Sequence, residues 1–313
     1  MRGRPQASCQ LGSSLDLGMT GPVSWAIARR RPMEYRRMVD AATRCPGVCP
    51  YTSPFYTIVS AYSHCCFLLP RYDASRKSWQ HVCSGVIVNQ RWVLTAAHCM
   101  KQTIPQPGQL IPRDRTIILR DKRFFRVAVE NFFTTGNPDD GREFQPEKIV
   151  YHPMYKGTGF ANPFDILMFK TRAPLEWTHH RQPICLPQTA QIFDTGKFHC
   201  FTAGWGRHMA GTNPNYRTID QQFGRIFHHQ DRRCWTNWDV RVPGATHMCF
   251  GDGKYGTCTT DSGGPLMCRV NNVWVLAGIE SAGAHECREE GKPSIFLNMH
   301  RFNTWVDNVI SKQ

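Results

Sequence analysis

The segment Cys258-Thr259-Thr260-Asp261-Ser262-Gly263-Gly264-Pro265 is preceded in the chain by Leu94-Thr95-Ala96-Ala97-His98-Cys99 and by Phe164-Asp165-Ile166-Leu167-Met168. Each stretch alone has an ordinary structural explanation. A histidine after two alanines is usually a packing or surface residue, and a serine among glycines is usually a turn. Together they place a histidine, an aspartate and a serine in that chain order. A serine hydroxyl is a poor nucleophile at its own pKa. It needs a histidine to take its proton and a buried carboxylate to orient that histidine. His98, Asp165 and Ser262 are therefore the candidate chemical unit.

Outward from these segments the chain is a succession of short β-branched or aromatic runs, at 86–88, 92–94, 116–119, 148–151 and 273–279. Gly, Pro, Asn and Asp turn signals divide them, which predicts an all-β barrel or sandwich. One helix is expected, at the C-terminus: Phe302, Trp305, Val306, Val309 and Ile310 fall at helical spacing, with Asn303, Asp307, Asn308 and Lys312 on other faces. Residues 1–57 differ in kind, with eight arginines, three acids and little periodicity, as in a leader or propeptide. The expected division is a basic leader at 1–57 and one catalytic-type domain at 58–313.

The 313 residues carry 38 Lys+Arg against 24 Asp+Glu, a formal charge of +14, of which 8 − 3 = +5 lies in the leader. With 41% hydrophobic and 12% aromatic residues the chain can bury a sizeable core, so disorder is excluded as its main state. No apolar run approaches the roughly 18 to 20 residues of a membrane span. Fourteen cysteines without metal-ligand spacing read as disulfides made in an oxidising compartment. The N-terminus conflicts with that reading. Residues 1–28 are broken by Asp16, four glycines and two prolines where a secretory signal has an apolar run. Unconventional handling, or a true start that differs from this one, would reconcile the two. Neither a metal nor an organic cofactor is expected, and without a basic–aromatic motif nucleic-acid binding is disfavoured.

The three segments, with Gly204-Trp205-Gly206 and Cys185-Leu186-Pro187 between them, resemble the trypsin/chymotrypsin-like family of serine endopeptidases over about residues 58–313. The resemblance implies two six-stranded antiparallel β-barrels with the site in the cleft between them. It implies that His98 is general base and later acid, that Asp165 orients it, and that Ser262 is the nucleophile forming an acyl-enzyme. The backbone N–H groups of Thr260 and Ser262 would form the oxyanion hole. Disulfides Cys83–Cys99, Cys200–Cys268, Cys234–Cys249 and Cys258–Cys287 are implied, with Cys185 tied to Cys45 or Cys49 in the leader. Cys9, Cys65, Cys66 and the spare of Cys45 and Cys49 are left without assigned partners. Short loop matches, among them Glu147-Lys148-Ile149-Val150 and 253–258, resemble the acrosin branch, which suggests a secreted or acrosomal destination.

Three features depart from the family pattern. Thr260 stands where the family has a glycine whose positive φ aims an N–H at the oxyanion. A β-branched residue held there costs about 1–3 kcal/mol, and a flipped peptide would instead lose one donor. The activation stretch is Phe55-Tyr56-Thr57-Ile58-Val59-Ser60-Ala61, with no Arg or Lys before Ile58. Asp261, which takes the new ammonium in active relatives, would then need another partner. The pocket aligned on Cys258 and Cys287 has Gly256 at its base, Thr257, Gly283 and Ser294 on its walls, and Ala282 in place of a cleft tryptophan. Gly256 argues against a basic preference set from the base. Glu280 occupies a wall position that is usually aliphatic, and either makes a displaced cationic site or turns outward as a surface glutamate. Two functions follow: a serine endopeptidase of restricted or weak activity acting on protein or peptide substrates, or a pseudoprotease that binds a protein or a polyanionic, sulfated glycan.

Overall fold

The computed structural model describes residues 65–69, 71–73, 78–100, 115–118, 126–129, 143–157, 161–178, 181–187, 193, 200–204, 206, 220–224, 226–227, 234, 238, 244–253, 256–270, 273–284, 287 and 289–312. Residues 1–57, with Cys9, Cys45 and Cys49, and Ile58 lie outside them.

Among the described residues the strands are β1 (Cys65–Leu69), β2 (Arg71–Asp73), β3 (Ser78–Gln80), β4 (Cys83–Ile87), β5 (Trp92–Thr95), β6 (Thr116–Ile118), β7 (Arg126–Val129), β8 (Glu143–Phe144), β9 (Pro146–Tyr151) and β10 (Leu167–Thr171). They continue with β11 (Cys200–Gly204), β12 (Asp220–Gly224), β13 (Ile226–Phe227), β14 (His247–Phe250), β15 (Pro265–Val270), β16 (Val273–Ala282) and β17 (Ser294–Asn298), and a helix, α1 (Asn303–Ser311), ends the fold. Each of the five expected apolar runs overlaps a strand, with Val88 just past the end of β4 and Leu119 outside the described residues.

The first sheet has the order β6-β9-β10-β5-β4-β1-β7-β8 and the second β12-β11-β15-β16-β17-β14-β13, while β2 and β3 form a separate pair. Both large sheets close on themselves. β8 and β9 are one residue apart in the chain, yet β8 pairs with β7 and β9 with β10. Likewise β12 and β13 are one residue apart, while β12 pairs with β11 and β13 with β14. Counting each such pair as one bent strand leaves six strands per closed barrel, with β6 appended to β9 in the first. Closure removes the unpaired sheet edges that would otherwise template aggregation.

Side chains alternate across a strand, and here both faces are buried. In the first barrel Ile87, Val93, Ile149, Leu167 and Phe169 fill the interior. Their neighbours Val86, Trp92, Leu94, Val150 and Met168 join Phe201, Met267, Leu276 and Ile279 of the second barrel in a shared seam. That double burial is why these strands read as continuous apolar runs. The second barrel has its own interior of Met248, Phe250, Leu266 and Phe296. The segment between barrels is strapped to both, since the Ile184 N–H donates to Ile87 O at 2.9 Å and the Leu276 N–H to Cys185 O at 2.9 Å.

Helix α1 closes the seam with Val306 and Val309, preceded by Phe302 at its cap. Asn303, expected on a face other than the apolar one, is buried, and its amide donates to Pro187 O.

Candidate active site

His98 sits on the short 3₁₀ turn Ala97–Met100 that follows β5, tied to β4 by the Cys83–Cys99 disulfide. Asp165 lies two residues before the start of β10 and is 2% exposed. Its carboxylate receives three donors. Oδ1 accepts the His98 backbone N–H at 2.7 Å, and Oδ2 accepts His98 Nδ1 at 2.6 Å and the Ser281 hydroxyl at 2.7 Å. The Asp165 carbonyl also accepts the Ala97 N–H at 3.1 Å. A proton on Nδ1 leaves Nε2 as the ring nitrogen able to take another. The loop carrying Asp165 is clamped from below. Phe164 stacks on His152 at 4.9 Å, and His152 packs on Trp305 of α1 at 5.1 Å. Burial, and secondarily the charge of Arg115, pushes the His152 pKa down to about 4.

Ser262 belongs to the second barrel, but its turn is fastened to the first. The Ser84 N–H donates to Ser262 O at 2.8 Å and the Ser84 hydroxyl to Thr260 O at 3.3 Å. From behind, the Gly263 N–H donates to Glu280 O at 2.8 Å and the Glu280 N–H to Gly264 O at 2.9 Å. Gly263 has φ +82°, and a Cβ there would overlap the Thr95 hydroxyl and the Ser84 carbonyl, so two independent constraints require glycine. The Asp261 carboxylate accepts the Gly206 N–H at 2.7 Å and the Cys258 N–H at 2.9 Å. A Cβ on Gly204 or Gly206 would overlap that carboxylate, which gives the Gly-Trp-Gly motif a steric reason.

Thr260 has φ +80°. Of the two outcomes open to it, the backbone takes the positive-φ one and carries the associated strain. Among the described residues, neither the Thr260 nor the Ser262 N–H donates to a backbone or side-chain acceptor.

The pocket residues form one hydrogen-bonded cluster beside the Cys258–Cys287 disulfide. The Thr257 N–H donates to Ser294 Oγ at 2.9 Å, the two hydroxyls lie 2.9 Å apart, and Thr257 Oγ1 donates to Glu280 Oε1 at 2.7 Å. A Cβ on Gly256 would come within 2.6 Å of Ser294 Oγ, and one on Gly283 within 3.3 Å of both Glu280 Oε1 and Thr257 Oγ1. Glu280 is 2% exposed, so it turns inward and not to the surface. Its Oε2 has no hydrogen-bond partner. Burial above all, then the charge of Asp261, pushes its pKa up to about 8, against the opposing pull of the Thr257 bond, His98 and the Ser262 hydroxyl.

Two further disulfides, Cys200–Cys268 and Cys234–Cys249, brace the second barrel. Cys185 is also disulfide-bonded, and Cys45 and Cys49, its expected partners, lie outside the described residues. Cys65 and Cys66 lie on β1. Donor atoms of Cys83, His98 and Cys99 approach within 4.8 Å of one another, but the disulfide consumes both thiols, so the group does not suit a metal. Sequence reasoning missed two contributors, Ser281 as a donor to Asp165 and Ser84 as the clamp on the Ser262 turn. Neither carries a motif; both depend on contacts between distant strands.

Two closed six-stranded antiparallel barrels sharing an apolar seam define the chymotrypsin-like two-barrel fold, with the candidate residues where the barrels meet. The family described as Trypsin matches residues 71–306, and the chain belongs to that family of serine proteases. Chymotrypsin-like elastase family member 1 of Bos taurus is 27% identical over 239 residues, covering 76% of this chain and 82% of the relative. Its counterpart in Canis lupus familiaris is 28% identical over 235 residues, covering 74% and 83%. Among solved structures, neuropsin, a serine protease expressed in the limbic system of mouse brain, aligns with TM-score 0.60 at 22% identity, covering 81% of this chain and 96% of that one.

Proposed function

We propose that the protein is a serine endopeptidase in which Ser262 is the nucleophile, His98 the general base and acid, and Asp165 the residue that orients His98. The geometry of the His98–Asp165 pair is the observation that carries this reading: one oxygen of a buried carboxylate meets the ring at Nδ1 and favours a proton there, while the other holds the backbone N–H of the same residue. In the forward step Ser262 Oγ bonds to the substrate carbonyl carbon while its proton passes to His98 Nε2. The negative oxygen so formed is met by the Thr260 and Ser262 N–H groups, whose lack of other acceptors supports that role. Collapse breaks the C–N bond, His98 returns the proton to the leaving amine, and water then hydrolyses the acyl-enzyme by the same relay.

Gly256, Thr257, Gly283, Ser294 and Glu280 would form the pocket for the side chain before the scissile bond, and Asp261 the carboxylate that holds the nucleophile turn. The disulfides support an oxidising, secreted setting. The test is hydrolysis of a peptide panel with Arg, Lys, Gln, Phe, Ala and Val before the scissile bond. Turnover that Ser262→Ala and His98→Ala abolish to a similar residual level supports the reading, and turnover indifferent to both defeats it. The second reading, a binding module with little or no chemistry, draws on the strained Thr260 backbone. A polyanionic glycan partner rests on the +14 charge and would show as salt-dependent retention on heparin.

A further inference from the structure

We infer that Glu280 makes the pocket selective for a lysine side chain before the scissile bond, through an acid placed on the pocket wall where the base offers only Gly256. The inference rests on the proposed active site, whose pocket it specifies.

The argument begins with the hydrogen bonds. Thr257 Oγ1 has one proton. When it donates to Glu280 Oε1, the 2.9 Å contact with Ser294 must run from the Ser294 hydroxyl to Thr257 Oγ1, and Ser294 Oγ then accepts the Thr257 N–H. The cluster thus organises one carboxyl oxygen through two hydroxyls and leaves the other, Oε2, buried with no donor in hydrogen-bond geometry, although the Ser262 hydroxyl also favours the ionised carboxyl. A buried carboxyl oxygen without a donor is costly, and the cost ends when a ligand donor reaches it. Around the Thr257-bound oxygen, Oε1, the walls are small. Gly283 and Gly256 carry no Cβ, and a Cβ at either would crowd Glu280 Oε1, Thr257 Oγ1 or Ser294 Oγ.

Ligand chemistry follows from what is free. A guanidinium pairs best with both oxygens of a carboxylate, but Oε1 is already occupied by Thr257. An ammonium is a compact charge with three donors, suited to one carboxyl oxygen and nearby hydroxyl oxygens. Lysine is therefore favoured over arginine, and both over neutral residues once Glu280 is ionised.

Other charges facing Glu280 are Asp261, which opposes its ionisation, and His98, which favours it. Asp165 stands behind Ser281, the next residue along β16. With its pKa pushed up to about 8, Glu280 is protonated in the empty pocket at neutral pH. Affinity for a lysine side chain therefore rises as pH climbs through 8, while affinity for a neutral isostere stays flat. A lysine already bound would draw the transition to lower pH.

The test measures binding, so that it is independent of turnover. Full-length protein with Ser262 intact is titrated with matched peptides whose scissile amide is replaced by an uncleavable isostere, bearing Lys, Arg or Gln before that bond, at pH 6 and pH 9. The expected result at pH 9 is Lys over Gln by about tenfold or more, the scale of a charge-assisted hydrogen bond, with Lys ahead of Arg. At pH 6 the Lys:Gln ratio shrinks, and adding Glu280→Gln removes its pH dependence. A Lys:Gln ratio near one at both pH values overturns the inference, as does Arg ahead of Lys, a ratio that survives Glu280→Gln, or no binding of any peptide. The pH comparison needs no variant and so stands even where Glu280→Gln fails to fold. If selectivity fails while wild-type protein still hydrolyses other peptides through Ser262, this inference falls and the proposed function stands. If lysine binds selectively but no peptide is cleaved, the proposed function falls alone.

Discussion

The two halves of the cleft are built to different standards. On the first barrel, His98 and Asp165 form a closed arrangement in which each carboxylate oxygen has at least one donor and the supporting loop is packed on α1. On the second barrel, the nucleophile turn carries a β-branched residue at φ +80°, and the acid behind it has an oxygen with no donor. The half that prepares the base follows the family closely. Departures are concentrated in the half that, in the proposed mechanism, would hold the oxyanion and choose the substrate.

Four perturbations test that contrast, from the largest effect to the smallest. Asp165→Asn should lower kcat by about 10⁴-fold with little change in KM, because it leaves the ring in place with the wrong tautomer; steady-state kinetics on a cleaved peptide reads it. A loss below tenfold would mean the first half is not the working base. Gly263→Ala should destabilise the fold by about 3 kcal/mol or more, through its positive φ and the overlap with Thr95 and Ser84. Denaturant unfolding reads that, and a near-neutral result would show that the turn is not clamped as described.

Glu280→Gln isolates the acid on the other side of the cleft. Its folded pKa lies above the unfolded value, so its contribution is fully present below about pH 4.5 and is lost as pH rises towards 8. Wild-type Tm should therefore fall across that window by several degrees more than that of the variant, in calorimetry at pH 4.5 and pH 8. Parallel curves would place Glu280 in a better solvated setting. Thr260→Gly, the smallest, should relieve backbone strain and raise stability by about 1 kcal/mol after the greater chain entropy of glycine is offset. A rise in kcat beyond tenfold would show in addition that the strain limits catalysis.

The same contrast marks what the sequence could reveal. Strands β4, β5, β9 and β16 were legible because burial on both faces writes uninterrupted apolar runs, and the closing helix because its core residues keep helical spacing. His98, Asp165 and Ser262 were legible because their flanking residues are tightly constrained: Gly263 by φ and by Thr95, and Gly204 and Gly206 by the Asp261 carboxylate. The inward turn of Glu280 was not. An alternating strand offers two faces, and only the partners Thr257 and Ser294 decide which one a glutamate takes. The hold of Ser281 on Asp165 was also hidden, since it depends on the register shift between Glu280 and Ala282 where β16 pairs with β17. Asn303 misled because its burial is set by the carbonyl of Pro187 and not by helical period.

The most direct test of the account is whether Ser262 is activated in the folded protein. Purified protein, before and after limited proteolysis, is treated with a fluorophosphonate that labels only serines primed by a neighbouring base, and the adduct is located by mass spectrometry. The account predicts a single adduct on Ser262, absent from Ser262→Ala and strongly slowed in Asp165→Asn. Folded protein that takes no label under any processing condition, or takes it equally in Ser262→Ala, would contradict it.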